Sequence, residues 1–310
     1  MNPTSLVGVF MNRENLLKLN LLGAIWGGSF IFIHILVPHL GAIGTAFFRV
    51  FVAGSILCGF LYLRGVRFEW KQNWKHYLWI GLLNSALPFT LFSYSALTLP
   101  ASLLAILNAS SPLFGVLLSA LFLGDALNAR KVMGLFMGIL GVGLVSIDGA
   151  LRLSEGVLPA IGCALAASAC YAVAGIYIKK RAHHIQPKTI AGTSLMGASL
   201  FLAPMLLFFP VSGLFSFEVG AALLGLAVLC TSIALMIYFQ LVKDVGPSRA
   251  LTVTFLIPAF GVLWGYIFLG EAITPKTLLG CLAIVIGTAL VIRQPRLKTA
   301  KFTKLAVQEF

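Results

Sequence analysis

The chain is 310 residues long, 59% hydrophobic and only 10% charged, with a formal net charge of +13. A soluble globular domain is about 45–50% apolar and about 25% charged, so the composition excludes a water-soluble fold whose core would have to hide this much apolar surface. The basic excess would point to nucleic acid in a soluble protein, so its meaning depends on where the charges fall along the chain.

Apolar runs of about 20 residues, each long enough to cross a hydrocarbon core about 30 Å thick, recur from Leu16 to Val291. They predict an all-α integral membrane protein with ten transmembrane helices, near residues 16–37, 42–63, 76–98, 101–123, 130–147, 157–178, 189–209, 220–241, 248–269 and 276–292. Residues 1–15 precede the first span. Within them the first ten are unlike the Met11-Asn12-Arg13-Glu14 that follows, which makes Met11 an alternative start. The run after Lys18 has the length of a full span and leads into Pro38-His39-Leu40, not into a small-residue cleavage site, so a cleaved signal peptide fits poorly. With the N-terminus placed inside, 19 of the 22 Lys and Arg fall on the inner side, Arg152 and Lys276 fall outside, and Arg49 alone lies within a span. This split follows the positive-inside rule and puts both termini, including a basic tail at 293–310, in the cytoplasm. The basic balance therefore reports insertion and anionic lipid head groups, not nucleic acid.

The predicted helices fall into two copies. A shift of 146 residues maps Pro112 onto Pro258, Phe114-Gly115-Val116-Leu117 onto Phe260-Gly261-Val262-Leu263, Gly124 onto Gly270, Gly134 onto Gly280 and Gly141 onto Gly287. No gap is needed from 102 to 145, and matched Pro, Gly and acidic positions are hard to obtain from apolar composition alone. The expected organisation is a first five-helix repeat over 16–147 and a second over 157–292. Five is odd, so the second copy enters the bilayer upside down, an architecture that places a solute site near the midplane where the copies meet.

On these residues the chain resembles a known family. The stretches "GAIWGGSFIF" and "FFRVFVAG" in the first two spans, and the doubled Pro-x-Phe-Gly, Leu-Gly-Asp/Glu-Ala and Gly pattern, are similar to the ten-helix EamA-type branch of the drug/metabolite transporter superfamily. The resemblance covers roughly 16 to 292 and implies a secondary transporter of the bacterial inner membrane. It implies export of amino acids or other small metabolites by alternating access, and it is weak for the individual substrate. In the family an arginine often occupies the place of Arg49, which implies a structural or gating role there.

Polar side chains near span centres are costly in hydrocarbon and face a bundle interior or a wet cavity. The candidates for a solute cavity are Trp26, Ser29, Asn84, Ser85, Asn108, Ser111, Tyr171, Thr231, Ser232 and Thr254, with Ser168 a further polar residue near a span centre. The 146-residue shift pairs Ser85 with Thr231 and Asn108 with Thr254. Asn108, Ser111, Pro112 and Gly115 share one helical face. Pro112 and Pro258, which lack an N–H, free the carbonyls of Asn108 and Thr254 and could shape the bundle instead. Arg49 either snorkels outward or faces the cavity, where it could pair with a substrate carboxylate or a backbone carbonyl.

No Asp or Glu lies near a span centre. Asp125 and Glu271 read as helix-end residues or as partners of Arg130 and Lys276, which disfavours proton antiport through an intramembrane carboxylate. The five cysteines lie inside spans at spacings that make no metal motif, and no motif calls for a cofactor or for catalysis. The expected partners are a small-molecule solute and membrane lipids, with no nucleic acid, and the chain is compatible with a monomer or a homodimer. A passive channel-like facilitator or a non-transporting scaffold is the competing class.

Overall fold

A computed structural model describes residues 12–146, 156–211, 213 and 216–292. The Met11 start, Arg152 and the basic tail from 293 lie outside the described residues. Every regular element among the described residues is helical, as the apolar runs require: with no water in a bilayer core, a helix satisfies each backbone group within its own segment. Among the described residues six helical stretches are long and apolar enough to cross a membrane.

The predicted spans and the observed helices differ in ways that matter for the site. The first two spans form one continuous assignment, α1 (Arg13–Leu63), which contains Pro38 and leaves helical geometry at Gly41 (φ 68, ψ 172). Positive φ is open to glycine at no steric cost, so the boundary predicted between 37 and 42 is a backbone kink instead of a loop. The third span is α2 (Trp70–Gly81), a π-helical turn over Leu82–Ala86 and α3 (Leu87–Ser95). The fourth is broken into α4 (Ala101–Asn108) and α5 (Ser111–Leu123). Then follow α6 (Ala129–Ser146), α7 (Val157–Arg181) and α8 (Pro187–Leu202). The eighth span is α9 (Phe217–Leu224), a second π-helical stretch over Gly225–Ile233 and α10 (Ala234–Val245). The ninth is a short α11 (Pro247–Ala250), a 3-10 stretch over Leu251–Phe255 and α12 (Leu256–Leu269), and α13 (Pro275–Ile292) closes the bundle.

α1 runs through the middle and packs against α3, α8, α9, α10 and α12. The main core is built around Leu22, Ile33, Leu36, Leu104, Ile106, Leu226 and Leu241, all essentially inaccessible.

The irregularities recur at matched places. Shifting 82–86 by 146 gives 228–232, inside the second π-helical stretch. Gly124 and Gly270 both end their helices in the left-handed region, at φ 71 and 64. α6 and α13 cross antiparallel through glycines: a Cβ on Gly134 would stand 2.6 Å from the Gly287 carbonyl oxygen, and one on Gly141 2.7 Å from that of Gly280. Gly134 maps onto Gly280 and Gly287 back onto Gly141, so the two contacts exchange under the repeat relation. Small residues let the backbones meet where no side chain fits.

Candidate solute cavity

One cavity of about 650 Å³ lies between the helices, with walls drawn from α1, α3, α5, α7, α10, α12 and the irregular stretches beside them. Trp26, Ser29, Asn84, Asn108, Ser111, Tyr171, Thr231 and Thr254 line it, as do Arg49 and Pro112. Ser85 and Ser232 do not; both are buried between helices. The Ser232 hydroxyl donates to the carbonyls of Ala53 on α1 (3.1 Å) and Ala227 (3.2 Å). Both serines lie within the π-helical stretches, where i→i+5 bonding leaves carbonyls such as that of Ala227 to a side-chain hydroxyl. Pro258 is buried too and shapes α12 from behind the wall.

The break in the fourth span has a different outcome from the free carbonyls the sequence predicts. Pro112 does leave Asn108 without its helical donor, but the Ser111 hydroxyl donates to that oxygen at 2.7 Å. The neighbouring carbonyls are treated alike: Leu107 accepts from Ser110 (2.6 Å) and from Ser168 on α7 (3.2 Å), and Ala109 accepts from Thr288 on α13 (2.9 Å). Three successive carbonyls at the break are thus satisfied by hydroxyls, two of which arrive from the second half of the chain. Buried polar groups left unpaired are expensive, so Ser110, Ser168 and Thr288 hold the break. What remains for a solute is side chains. Neither the Asn84 nor the Asn108 amide bonds to another described residue, and both face the cavity.

Arg49 takes the inward of its two readings. Only 8% of it is exposed, and it forms part of the cavity wall. Its Nε donates to Thr231 Oγ1 at 3.0 Å, and its guanidinium carbon sits 3.7 Å from the centre of the Phe89 ring. Thr231 passes its own proton to the Leu226 carbonyl (2.8 Å), five residues back in the π-helical stretch. Both π-helical turns therefore serve this one cation: one presents Thr231, and the other leads into Phe89.

Aromatic rings complete the chamber. Trp26 packs on Tyr238 with ring centres 5.5 Å apart, and Phe92 stacks on Tyr171 at 6.3 Å. Tyr238, Phe89 and Phe92 were missed in the sequence. In a chain with 24 phenylalanines and seven tyrosines, an aromatic residue in a span carries no signal of its own.

The two ends of the cavity differ. At one end it reaches Ser119, Leu123, Asp125, Lys131 and Lys179. At the other, the Glu271 carboxylate accepts from the backbone N–H groups of Ala101 (2.6 Å) and Ser102 (2.9 Å) and so caps α4. A carboxylate is favoured there by unpaired N–H groups and the helix dipole. Of the two readings of these acids, as helix-end residues or as partners of Lys276 and Arg130, Glu271 takes a helix end, that of α4, and Asp125 follows the end of α5 and lines the cavity. Glu271 lies where α4 begins and Asp125 just beyond where α5 ends, so the matched acids occupy opposite ends of the fourth span.

Comparison with known proteins decides the family. The profile of the EamA-like transporter family matches residues 16–147 and again 158–293. The chain belongs to the EamA-like transporter family. It is 28% identical over 272 residues to the uncharacterized transporter YvbV of Bacillus subtilis (84% of this chain, 85% of the relative). It is 30% identical over 275 residues to the threonine/homoserine exporter RhtA of Escherichia coli (84% and 85%). Protein PecM of Dickeya dadantii is 25% identical over 275 residues (87% and 89%). A solved crystal structure superposes with a TM-score of 0.63 at 19% identity, covering 90% of this chain and 96% of that one, which establishes likeness of fold. The chain is accordingly a membrane transporter.

Proposed function

We propose that this EamA-family protein is a secondary carrier of small polar metabolites, amino acids or related solutes, working by alternating access between two inverted five-helix repeats. The observation that carries the reading is the cavity itself: its walls come from both halves, Glu271 latches the start of α4, and its match in the repeat, Asp125, lines the cavity with Lys131 and Lys179. The exchanged glycine contacts of α6 and α13 support an axis relating the halves. The positive-inside distribution supports placing the end of the cavity with Asp125, Lys131 and Lys179 on the cytoplasmic side of a bacterial inner membrane, with both termini on that side. Export is supported by the threonine/homoserine exporter among the relatives.

Purified protein in liposomes tests this. A carrier gives saturable uptake that accelerates when unlabelled solute is loaded on the far side. Linear, non-saturating flux would make the protein a channel, and absence of flux for a broad amino-acid and metabolite panel, with folding intact, would make it a scaffold. Asn108→Ala should cut transport about tenfold through loss of one solute hydrogen bond worth about 1.5 kcal/mol, at unchanged surface expression. Unchanged kinetics in that variant would move the solute site elsewhere.

A further inference from the structure

The geometry points to a carboxylate as the group this cavity recognises, bound on Arg49, with no counter-charge set beside it for an ammonium group. The inference rests on the cavity being the transported solute's site and narrows the substrate class to organic monocarboxylates.

A guanidinium has five N–H donors and no acceptor. In Arg49 the Nε–H is used by Thr231, one face lies on Phe89, and the terminal Nη groups make no hydrogen bond to a described residue. Among the described residues no carboxylate pairs with it; the ion pairs are those of Lys18 with Glu14 and Asp244. A charge this deeply buried is held only with compensation. Thr231 and Phe89 supply a fixed orientation and a partial offset, but no opposite charge. The edge left open is the paired N–H edge that matches a planar carboxylate with two parallel bonds.

The rest of the chamber decides what is attached to that carboxylate. The lining combines rings and aliphatic side chains, among them Trp26, Phe92, Tyr238 and Ile257, with the amides of Asn84 and Asn108. Among the described residues the acid in the lining is Asp125, which Lys131 and Lys179 accompany. An ammonium group beside a bound carboxylate would therefore meet amide oxygens and rings, not a counter-charge. A dianion such as phosphate would meet one cation where it needs two. The match is a monoanion, and the amine of an amino acid is tolerated, not selected.

Binding of matched probes to the full-length protein in detergent, followed by thermal shift and by tryptophan fluorescence, tests this independently of transport. The probes are 4-methylvalerate and 3-phenylpropionate, their neutral amides, the amino acids leucine and phenylalanine, and inorganic phosphate. The expected result is that each carboxylate binds about tenfold or more tightly than its amide, and at least as tightly as the corresponding amino acid. Arg49→Gln should erase the difference between acid and amide, while Lys131→Gln with Lys179→Gln should leave it in place. If Arg49→Gln does not fold, Arg49→Lys and the probe series on the unmodified protein carry the test, with preference for the acid expected in both. Equal binding of acid and amide, amino acids tighter than their deaminated acids, phosphate as the tightest probe, or loss of the preference in the double lysine variant would each overturn the inference. Counterflow with the same carboxylates then bears on transport alone: absence of flux with binding intact would contradict the carrier reading and leave the carboxylate site standing.

Discussion

α5 and α12 carry one sequence pattern in two settings. In α12, Ile257, Pro258, Gly261, Val262 and Gly265 are buried, and a Cβ on Gly261 would stand 2.2 Å from that of Ala105. In α5 only Leu113 is buried, and the matched Gly115 has nothing within 4 Å of where its Cβ would be. The acids that follow them behave accordingly: Glu271 is latched onto the start of α4, and Asp125 faces the cavity. Position 247, which the repeat relation sets opposite Asp125 as Ala101 is set opposite Glu271, is a proline and has no N–H to give. The difference teaches that one repeated pattern is held in two ways, and that part of the difference is written in the sequence, because Pro247 denies Asp125 one of the two N–H groups that Glu271 uses.

Breaking the closed side should give the largest effect. Gly261→Ala forces a methyl group into Ala105 and should destabilise the protein by about 1–3 kcal/mol, read as a lower melting temperature in detergent. Gly115→Ala, in open space within a helix, should be neutral or stabilising by up to about 1 kcal/mol. Equal losses in the two would remove the asymmetry.

The latches come next. Glu271→Gln loses the charge behind two backbone hydrogen bonds and should cost about 1.5–3 kcal/mol, while raising the reactivity of a cysteine placed at Ser102. Asp125→Asn should leave the melting temperature unchanged. Smaller still are the hydroxyls that close the fourth-span break from the second half. Ser168→Ala and Thr288→Val should each cost about 1 kcal/mol, and removing both should cost more than the sum if the break opens as a unit. Strict additivity would show the two carbonyls to be held separately.

Much of this was legible beforehand, for physical reasons that also set its limits. Trp26, Asn84, Asn108 and Thr231 stood out because a polar group in mid-membrane needs a reason, and Pro112 announced the fourth-span break because it cannot donate. Hidden from the sequence was who accepts and who donates: Ser111 taking the carbonyl that Pro112 frees, Thr288 reaching Ala109 across 179 residues, Thr231 turning Arg49 inward. Long-range partners leave no periodic trace. Ser85 and Ser232 were read as wall because a polar residue near a span centre was taken to need a cavity, whereas the Ser232 hydroxyl is satisfied by the carbonyls of Ala53 and Ala227 between helices. Glu271 read either as a helix-end residue or as a partner of Lys276, and sequence proximity concealed that the helix end it serves is the start of α4, 170 residues away.

The claim on which the account turns is that the two halves lie upside down relative to each other. It is tested most directly by placing a single cysteine at Asp125 or at Lys276, both exposed, in a variant without the five native cysteines. A membrane-impermeant thiol reagent is then applied to whole cells and to inverted vesicles. The account predicts that position 276 is labelled from outside the cell and position 125 only in inverted vesicles. Labelling of both positions from the same side would contradict it.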